Sequence, residues 1–277
     1  MKKKKKQNIK LLKSKMYIVI CCLSIILIVL LVLFGFKLFD NRQYYKVEPR
    51  VSNIKTKGKL NDVYETGGWL RIQGTKIDIP ILYSEDFSEA FPMDLEDFAW
   101  TENGDTKFHN MIRIVGHNLY NLSASPKLES EYFHRFEQLM NFVYYDFAKE
   151  NKYIQYTIDG KDYVYKIFSA GFIKADARYQ FSLFDDYDKD TMKNQIKTFK
   201  DASLYNYNVD VNENDKLISL STCTRFLGID EKYEFYVVGR LVRDGEKINN
   251  YKVTKRDNYK KVEKILKGDD DNEKDTL

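Results

Sequence analysis

Between Met16 and Phe36 the sequence runs MYIVICCLSIILIVLLVLFGF, 21 residues without a charge. As a helix rising ~1.5 Å per residue, such a run spans roughly 30 Å, the thickness of a bilayer's hydrocarbon core. Two other readings compete with a membrane span. A cleaved signal peptide has a shorter apolar region and a small-residue cleavage site, and neither is present. A helix buried in a soluble core would carry a polar stripe, whereas only Ser24 interrupts this run. The segment therefore reads as an uncleaved anchor over residues 16–36. Before it, residues 1–15 hold eight Lys and no acid, while Lys37, Asp40 and Arg42 after it nearly balance. The positive-inside rule puts this basic tail in the cytoplasm and the rest of the chain outside, as a single-pass protein of the cell membrane. Beside an anchor, the five-Lys opening run reads as a topology determinant that binds anionic lipid.

Composition then sorts the exterior part. The formal charge is +4, yet without the eight leading Lys the chain has 37 basic against 41 acidic residues. A mildly acidic body offers no electrostatic footprint for nucleic acid. Aromatic residues at 15% exclude a disordered chain, and 13 Gly with four Pro exclude collagen-like or low-complexity architectures. Cys21 and Cys22 fall inside the apolar run, leaving Cys223 as the one exterior thiol, so no intrachain disulfide framework can form there. A lone Cys is commonly just a small buried hydrophobe. In an oxidising exterior a free thiol is also a liability, which asks for a reason.

Residues 37–66 are polar with scattered apolar positions and suit a stalk or short N-terminal helices. The core domain is expected over 67–243. Strand patterns begin at Trp69-Leu70-Arg71-Ile72 and continue in Lys76–Leu82, where Pro80 suggests an edge or a bulge. Met111–Val115 is a short apolar strand. Apolar residues at three- and four-residue steps through 130–150 indicate a helix, or a helix followed by a strand. The clearest hairpin joins Tyr153–Ile158 to Tyr163–Phe168 through Asp159-Gly160, a pair suited to a type I′ turn. Residues 185–199 read as an amphipathic helix, Lys216–Leu220 as a strand, and Phe235–Val242 as a last strand apolar enough to be central. Residues 244–277 are charged, with a surface helix expected near 257–267 and disorder beyond it. At least seven short strands with one or two connecting helices make the fold mainly β, a closed or partly closed barrel rather than a parallel sheet.

His117 follows the strand MIRIV and Cys223 follows the strand LISLS, so both lie just past strand ends, where side chains converge on one mouth of a barrel. A thiol is only a few per cent ionised at neutral pH, and a neighbouring imidazole changes that and supplies an acid for a leaving amine. Spacing alone does not bring them together, since 106 residues separate them. His109, in a polar loop, and His134, on a helical stretch, read as structural or solvent-facing. The three His are too scattered for a zinc motif. Asp94, Glu96 and Asp97 are either a solvated acidic loop or groups that orient His117. Ser221 and Thr222 serve the strand terminus, with Thr222 a candidate substrate contact.

The local strings carry a resemblance. LSTC after an apolar strand, followed by VVGRLV, resembles the TLxTC motif of sortases, and IVGHNLYN resembles the segment bearing their histidine. The order of basic tail, anchor, GWLRI, IDIPI, His, long middle section, Cys and final strand is similar over about residues 60–243. The long stretch holding the 185–199 helix looks like the class B branch. The resemblance implies a sortase-like closed barrel and a cysteine transpeptidase on the outer face of a Gram-positive membrane. Cys223 would attack a Thr carbonyl in the C-terminal sorting motif of a secreted surface protein, forming a thioester. His117 would protonate the departing amine and deprotonate the incoming one, which comes from a peptidoglycan precursor or from a pilin Lys. Such chemistry requires no metal or organic cofactor.

One position departs from the pattern. The family carries an Arg five residues before the Gly or Ala of its last strand, and here that residue is Glu234. A carboxylate has the wrong sign for steadying an oxyanion. Arg225, two residues past the thiol, is the candidate to fold back into that role; otherwise it is a loop Arg meeting Asp230 or Glu231. Glu234 also supports a second reading, a weak or inactive sortase-like binding module. A third, a different secreted cysteine peptidase, lacks the papain-like string around its thiol.

Overall fold

The computed structural model describes residues 16–17, 19–33, 58–59, 65–83, 99–102, 107–118, 136–174, 186–228, 232–248 and 250–268. The chain divides into two compact units, residues 1–46 and 47–277. In the first, helix α1 (residues 19–33) leaves its apolar side chains exposed, Leu23, Ile25, Leu27 and Leu31 among them. Its 15 residues rise roughly 22 Å. Among the described residues no helix is long and apolar enough to cross a membrane. The expected span of 16–36 also includes residues 18 and 34–36, which lie outside those described.

The second unit is built on strands β1 (Gly58–Lys59), β2 (Glu65–Ile72), β3 (Asp78–Tyr83), β4 (Ala99–Thr101), β5 (Met111–Gly116), β6 (Tyr153–Ile158), β7 (Lys161–Lys174), β8 (Tyr205–Tyr207), β9 (Leu217–Thr224), β10 (Tyr233–Leu241) and β11 (Val253–Lys255). Nine of them form one sheet in the order β1-β2-β3-β4-β5-β9-β10-β7-β6, and β6 returns to pair with β2. That last pairing, Trp69↔Thr157 through Ile72↔Ile154, closes eight strands into a barrel, with β1 added beside the start of β2. The mainly β closed barrel read from the sequence is the observed architecture. All pairings are antiparallel except β3–β4 and β5–β9. Pro80 pairs with Trp69 on one side, while β4 reaches only Ile81 and Leu82 on the other, so its missing N–H costs no ladder bond there.

Alternation decides what lies inside. Leu70, Ile72, Ile79, Ile81, Ile112, Ile114, Ile154, Ile167, Ile218, Leu220, Phe235 and Val237 point into one buried cluster. The stretch after residue 135 supplies a 3₁₀ helix, Phe136–Val143, with all eight residues buried, and then α2 (Tyr145–Glu150). Helical spacing is therefore present there, in a tighter form than the expected α-helix. The hairpin turn is as expected, with Asp159 at φ 50° and Gly160 at φ 72°. Helix α3 (Lys189–Ala202), capped by Asp188 accepting from the Thr191 amide at 2.7 Å, covers part of the outer face. There Met192, Ile196 and Phe199 pack with Met111, Phe168, Leu217, Tyr236 and Val238.

The chain after residue 243 is more than a charged tail. Tyr251, Val253, Tyr259 and Val262 join the main core, β11 pairs with β8, and α4 (Tyr259–Lys267) follows. Ile265 and Leu266 pack against the same core, and Tyr251 donates its hydroxyl to the Ile167 carbonyl at 2.9 Å; apolar residues this scattered among charges do not stand out in the sequence. The expected disorder concerns residues 269–277, outside those described.

Candidate active site

The parallel β5–β9 pair runs from Met111↔Leu217 to Val115↔Ser221, a constant offset of 106. Continued two residues beyond the ladder, the same offset carries His117 onto Cys223. Two side chains tie the strands on either side of that step. Thr222 Oγ1 donates to the Gly116 carbonyl at 2.8 Å, and Asn118 Nδ2 donates to the Cys223 carbonyl at 2.9 Å. Adjacent strands lie ~4.8 Å apart, so the backbones bearing the imidazole and the thiol are next-door neighbours.

Parity sets which way each residue faces. Ile218, Leu220 and the wholly buried Thr222 point inward, which turns Ser219, Ser221 and Cys223 to the outer face. On β5 the inward residues are Ile112, Ile114 and Gly116, so Arg113, Val115 and His117 share the outer face. An added Cβ on Gly116 would sit 2.3 Å from the Phe136 ring, and this close approach explains the glycine before His117. The Cys223 thiol is exposed, whereas Thr222 and Thr224 on either side are buried. The His117 ring stands 4.8 Å from the Trp100 ring at 59°, so β4 gives the imidazole an aromatic wall.

On the other side of the thiol lies β10. Glu234 is the register partner of Cys223, and Phe235 and Val237 point inward, so Glu234 faces outward beside the sulfur. It is buried, and Tyr236 donates its hydroxyl to Glu234 Oε2 at 2.6 Å. Three neighbouring strands thus carry His117, Cys223 and Glu234 in one row: imidazole, thiol, carboxyl. In the sequence Glu234 stands where the family's Arg is expected; its contact with Tyr236 and its register opposite Cys223 emerge only from the fold.

Arg225 is exposed, just past β9, where its carbonyl accepts from the Gly228 amide at 3.0 Å. Thr222 has no exposed surface and spends its hydroxyl on Gly116, so it joins strands rather than facing a substrate. The buried cation on this face is Arg113, four residues before His117, with Nε 3.2 Å from Glu102 Oε2 and Nη1 donating to the Tyr187 hydroxyl at 3.0 Å. His109 is buried at the far end of β5, its Nδ1 3.4 Å from Asp186 Oδ1, and stands apart from the thiol. His134, Asp94, Glu96, Asp97, Asp230 and Glu231 lie outside the described residues. Among the described residues no group of three His, Cys, Asp or Glu side chains could hold a metal ion. Trp100 and Asn118 went unforeseen; the one available signal for Asn118 was its place beside His117 in the GHN string.

No protein-family model matches the chain, and no curated protein does. Among solved structures it is similar to sortase B of Clostridium perfringens, at 22% identity over 64% of this chain and 94% of that one, with a TM-score of 0.49. Sortase B of Listeria monocytogenes is similar at 23% identity over 64% and 94%, with a TM-score of 0.47. A Staphylococcus aureus sortase B–substrate complex is similar at 17% identity over 64% and 80%, with a TM-score of 0.49.

Proposed function

We propose that this chain is a cysteine transpeptidase of the sortase kind, close to class B, held outside the cell by its 16–36 segment. The observation that carries the reading is the β5–β9 register, which, continued two residues past its last pair, sets His117 beside an exposed Cys223. An exposed thiol beside an imidazole can act as a nucleophile, and a thiol sealed in the core cannot. In the proposed reaction the Cys223 thiolate attacks the carbonyl of a Thr within a C-terminal sorting motif. The C–N bond breaks as the His117 imidazolium gives its proton to the leaving amine, and a thioester remains. An amine then attacks that carbonyl, passes its proton to His117, and the C–S bond breaks to restore the thiolate. The acceptor in this reading is an amine of a peptidoglycan precursor, with a pilin Lys as the alternative. Arg225 is the proposed oxyanion partner, on the strength of its position one outward step past the thiol.

The decisive experiment exposes the full chain to a panel of sorting peptides and seeks the acyl-enzyme by mass. A peptide-dependent adduct on Cys223 that is absent from Cys223→Ala and released by an added amine supports the reading. Hydrolysis with no transfer to the amine points instead to a peptidase.

A second reading rests on a specific observation. Glu234, in register with Cys223, places a carboxyl where developing negative charge would need a cation. In that reading the protein is an anchored binding module of sortase-like form, and its mark would be peptide binding with no adduct on Cys223.

A further inference from the structure

A cavity of about 400 Å³ opens at the opposite end of β10 from Cys223. Arg240, six residues beyond Glu234 and so roughly 20 Å along the strand, forms its floor. The charges lining it are unbalanced: Lys166, Arg240, Arg243, Lys247 and Lys252 face only Asp210 and Glu246. The exterior chain as a whole carries more acids than bases, so this excess is a local concentration.

The buried part of that charge is only partly offset within the lining. Lys166 Nζ bonds Glu246 Oε1 at 2.6 Å, Arg240 bonds both oxygens of the same carboxylate, and Asp210 also acts on Arg240. Behind the wall Lys152 is buried as well, held by the Asn250 side chain and by the Tyr251 carbonyl at 2.7 Å, both neutral acceptors. Burial, with Lys149 nearby, lowers the Lys152 pKa, as expected for a cation removed from water without a counter-ion. Arg243 is matched by Asp215 and Asp210, at 2.7 and 2.8 Å. Lys247 and Lys252 stand exposed at the rim. Such a wall lowers its own electrostatic cost by taking an anion, and Asn208 and Asn250 add hydrogen-bonding groups to the same lining.

We propose that this cavity binds a phosphate-class anion carried on a small hydroxylated body, a polyol phosphate. The volume exceeds what a bare phosphate needs and lies in the range of small-ligand pockets. The inference is independent of the thiol chemistry, because the two sites sit at opposite ends of the strand.

The test is calorimetric titration of the full chain in detergent micelles, at constant ionic strength, with inorganic phosphate, glycerol phosphate, glycerol, and vesicles containing a phosphodiester lipid. Saturable heat with glycerol phosphate, none with glycerol, and at least tenfold weaker binding in Lys247→Glu/Lys252→Glu would support the site. Both substituted residues are exposed at the rim, so folding is retained, and an unchanged thermal midpoint of the free variant checks this. Competition by vesicles would identify the source as a lipid headgroup, and failure of vesicles to compete would identify a soluble phosphate. No heat with either phosphate, or equal binding by the variant, would overturn the inference.

Discussion

Replacing Glu234 by Gln isolates the effect of one charge on the Cys223 thiol. Cross-strand partners on one face have Cβ atoms roughly 5 Å apart, and Glu234 holds that position opposite Cys223. At about 5 Å, two unit charges interact by roughly 0.8 kcal/mol in water and about 3.3 kcal/mol at an effective dielectric of 20. Those limits correspond to roughly 0.6 to 2.4 pH units in the thiol's ionisation midpoint. Because the sulfur is exposed, the lower end applies, about 0.6 unit. The sign follows from like charges: the carboxylate opposes the thiolate, so its removal moves the midpoint down. A thiolate of lower basicity is also a weaker nucleophile, by about threefold per unit, so roughly fourfold more thiolate becomes about a twofold faster reaction at pH 7. Glutamine still accepts from the Tyr236 hydroxyl, which leaves the geometry in place. The assay is the pH dependence of alkylation by iodoacetamide, with Cys223→Ala subtracting the contribution of Cys21 and Cys22. A midpoint that moves by less than about 0.2 unit, or moves upward, would refute the electrostatic pairing of the two residues.

Three further outcomes are expected. Thr222→Val removes the bond to the Gly116 carbonyl and leaves that acceptor unsatisfied in the core, which costs about 1–2 kcal/mol in urea unfolding; no loss would mean that the two strand ends are not tied there. Arg225→Ala should slow acyl-enzyme formation by roughly a hundred- to a thousandfold while thiol labelling stays unchanged, and unaltered acylation would discard Arg225 as an oxyanion partner. Glu246, held well below the usual carboxylate range chiefly by its hydrogen bond to Arg240, contributes stability that is present above the unfolded-state value and lost as pH falls toward the folded one. Glu246→Gln should therefore flatten the acid limb of a stability–pH curve measured by thermal unfolding, and a limb of unchanged slope would count against the pairing.

Legibility in the sequence followed the strength of local patterning. The barrel strands stood out because alternation with β-branched and aromatic residues is a dense signal, and the Asp159-Gly160 turn announced its hairpin. The 3₁₀ segment kept its helical spacing, but its tighter winding is imposed by burial on every side, which no local rule contains. The helix expected near 257–267 is α4, but the docking of this segment on the core is not legible, because Tyr251, Val253, Tyr259 and Val262 are scattered among charged residues. At the candidate site, His117 stands just past β5 as expected, whereas Cys223 lies within β9 rather than past its end, because pairing with β10 extends the strand to Thr224. Trp100 was not legible, since its closeness to His117 depends on a three-residue strand, Ala99–Thr101, whose pairing is purely tertiary.

The offset of 106 that joins His117 to Cys223 is also what keeps the thiol accessible. Side chains alternate with period two, so slipping β9 by one residue against β5 would turn Cys223 into the core and bring Thr222 out. Packing resists the slip: Ser219 and Ser221, buried on the outer face, would have to put their hydroxyls among the apolar residues of the main core in place of Ile218 and Leu220. The inward apolar residues of β9 therefore set which way the Cys223 thiol faces. Variants such as Leu220→Ala should lose thiol reactivity only in so far as they lose folded protein, whereas His117→Ala should lose reactivity with the fold intact.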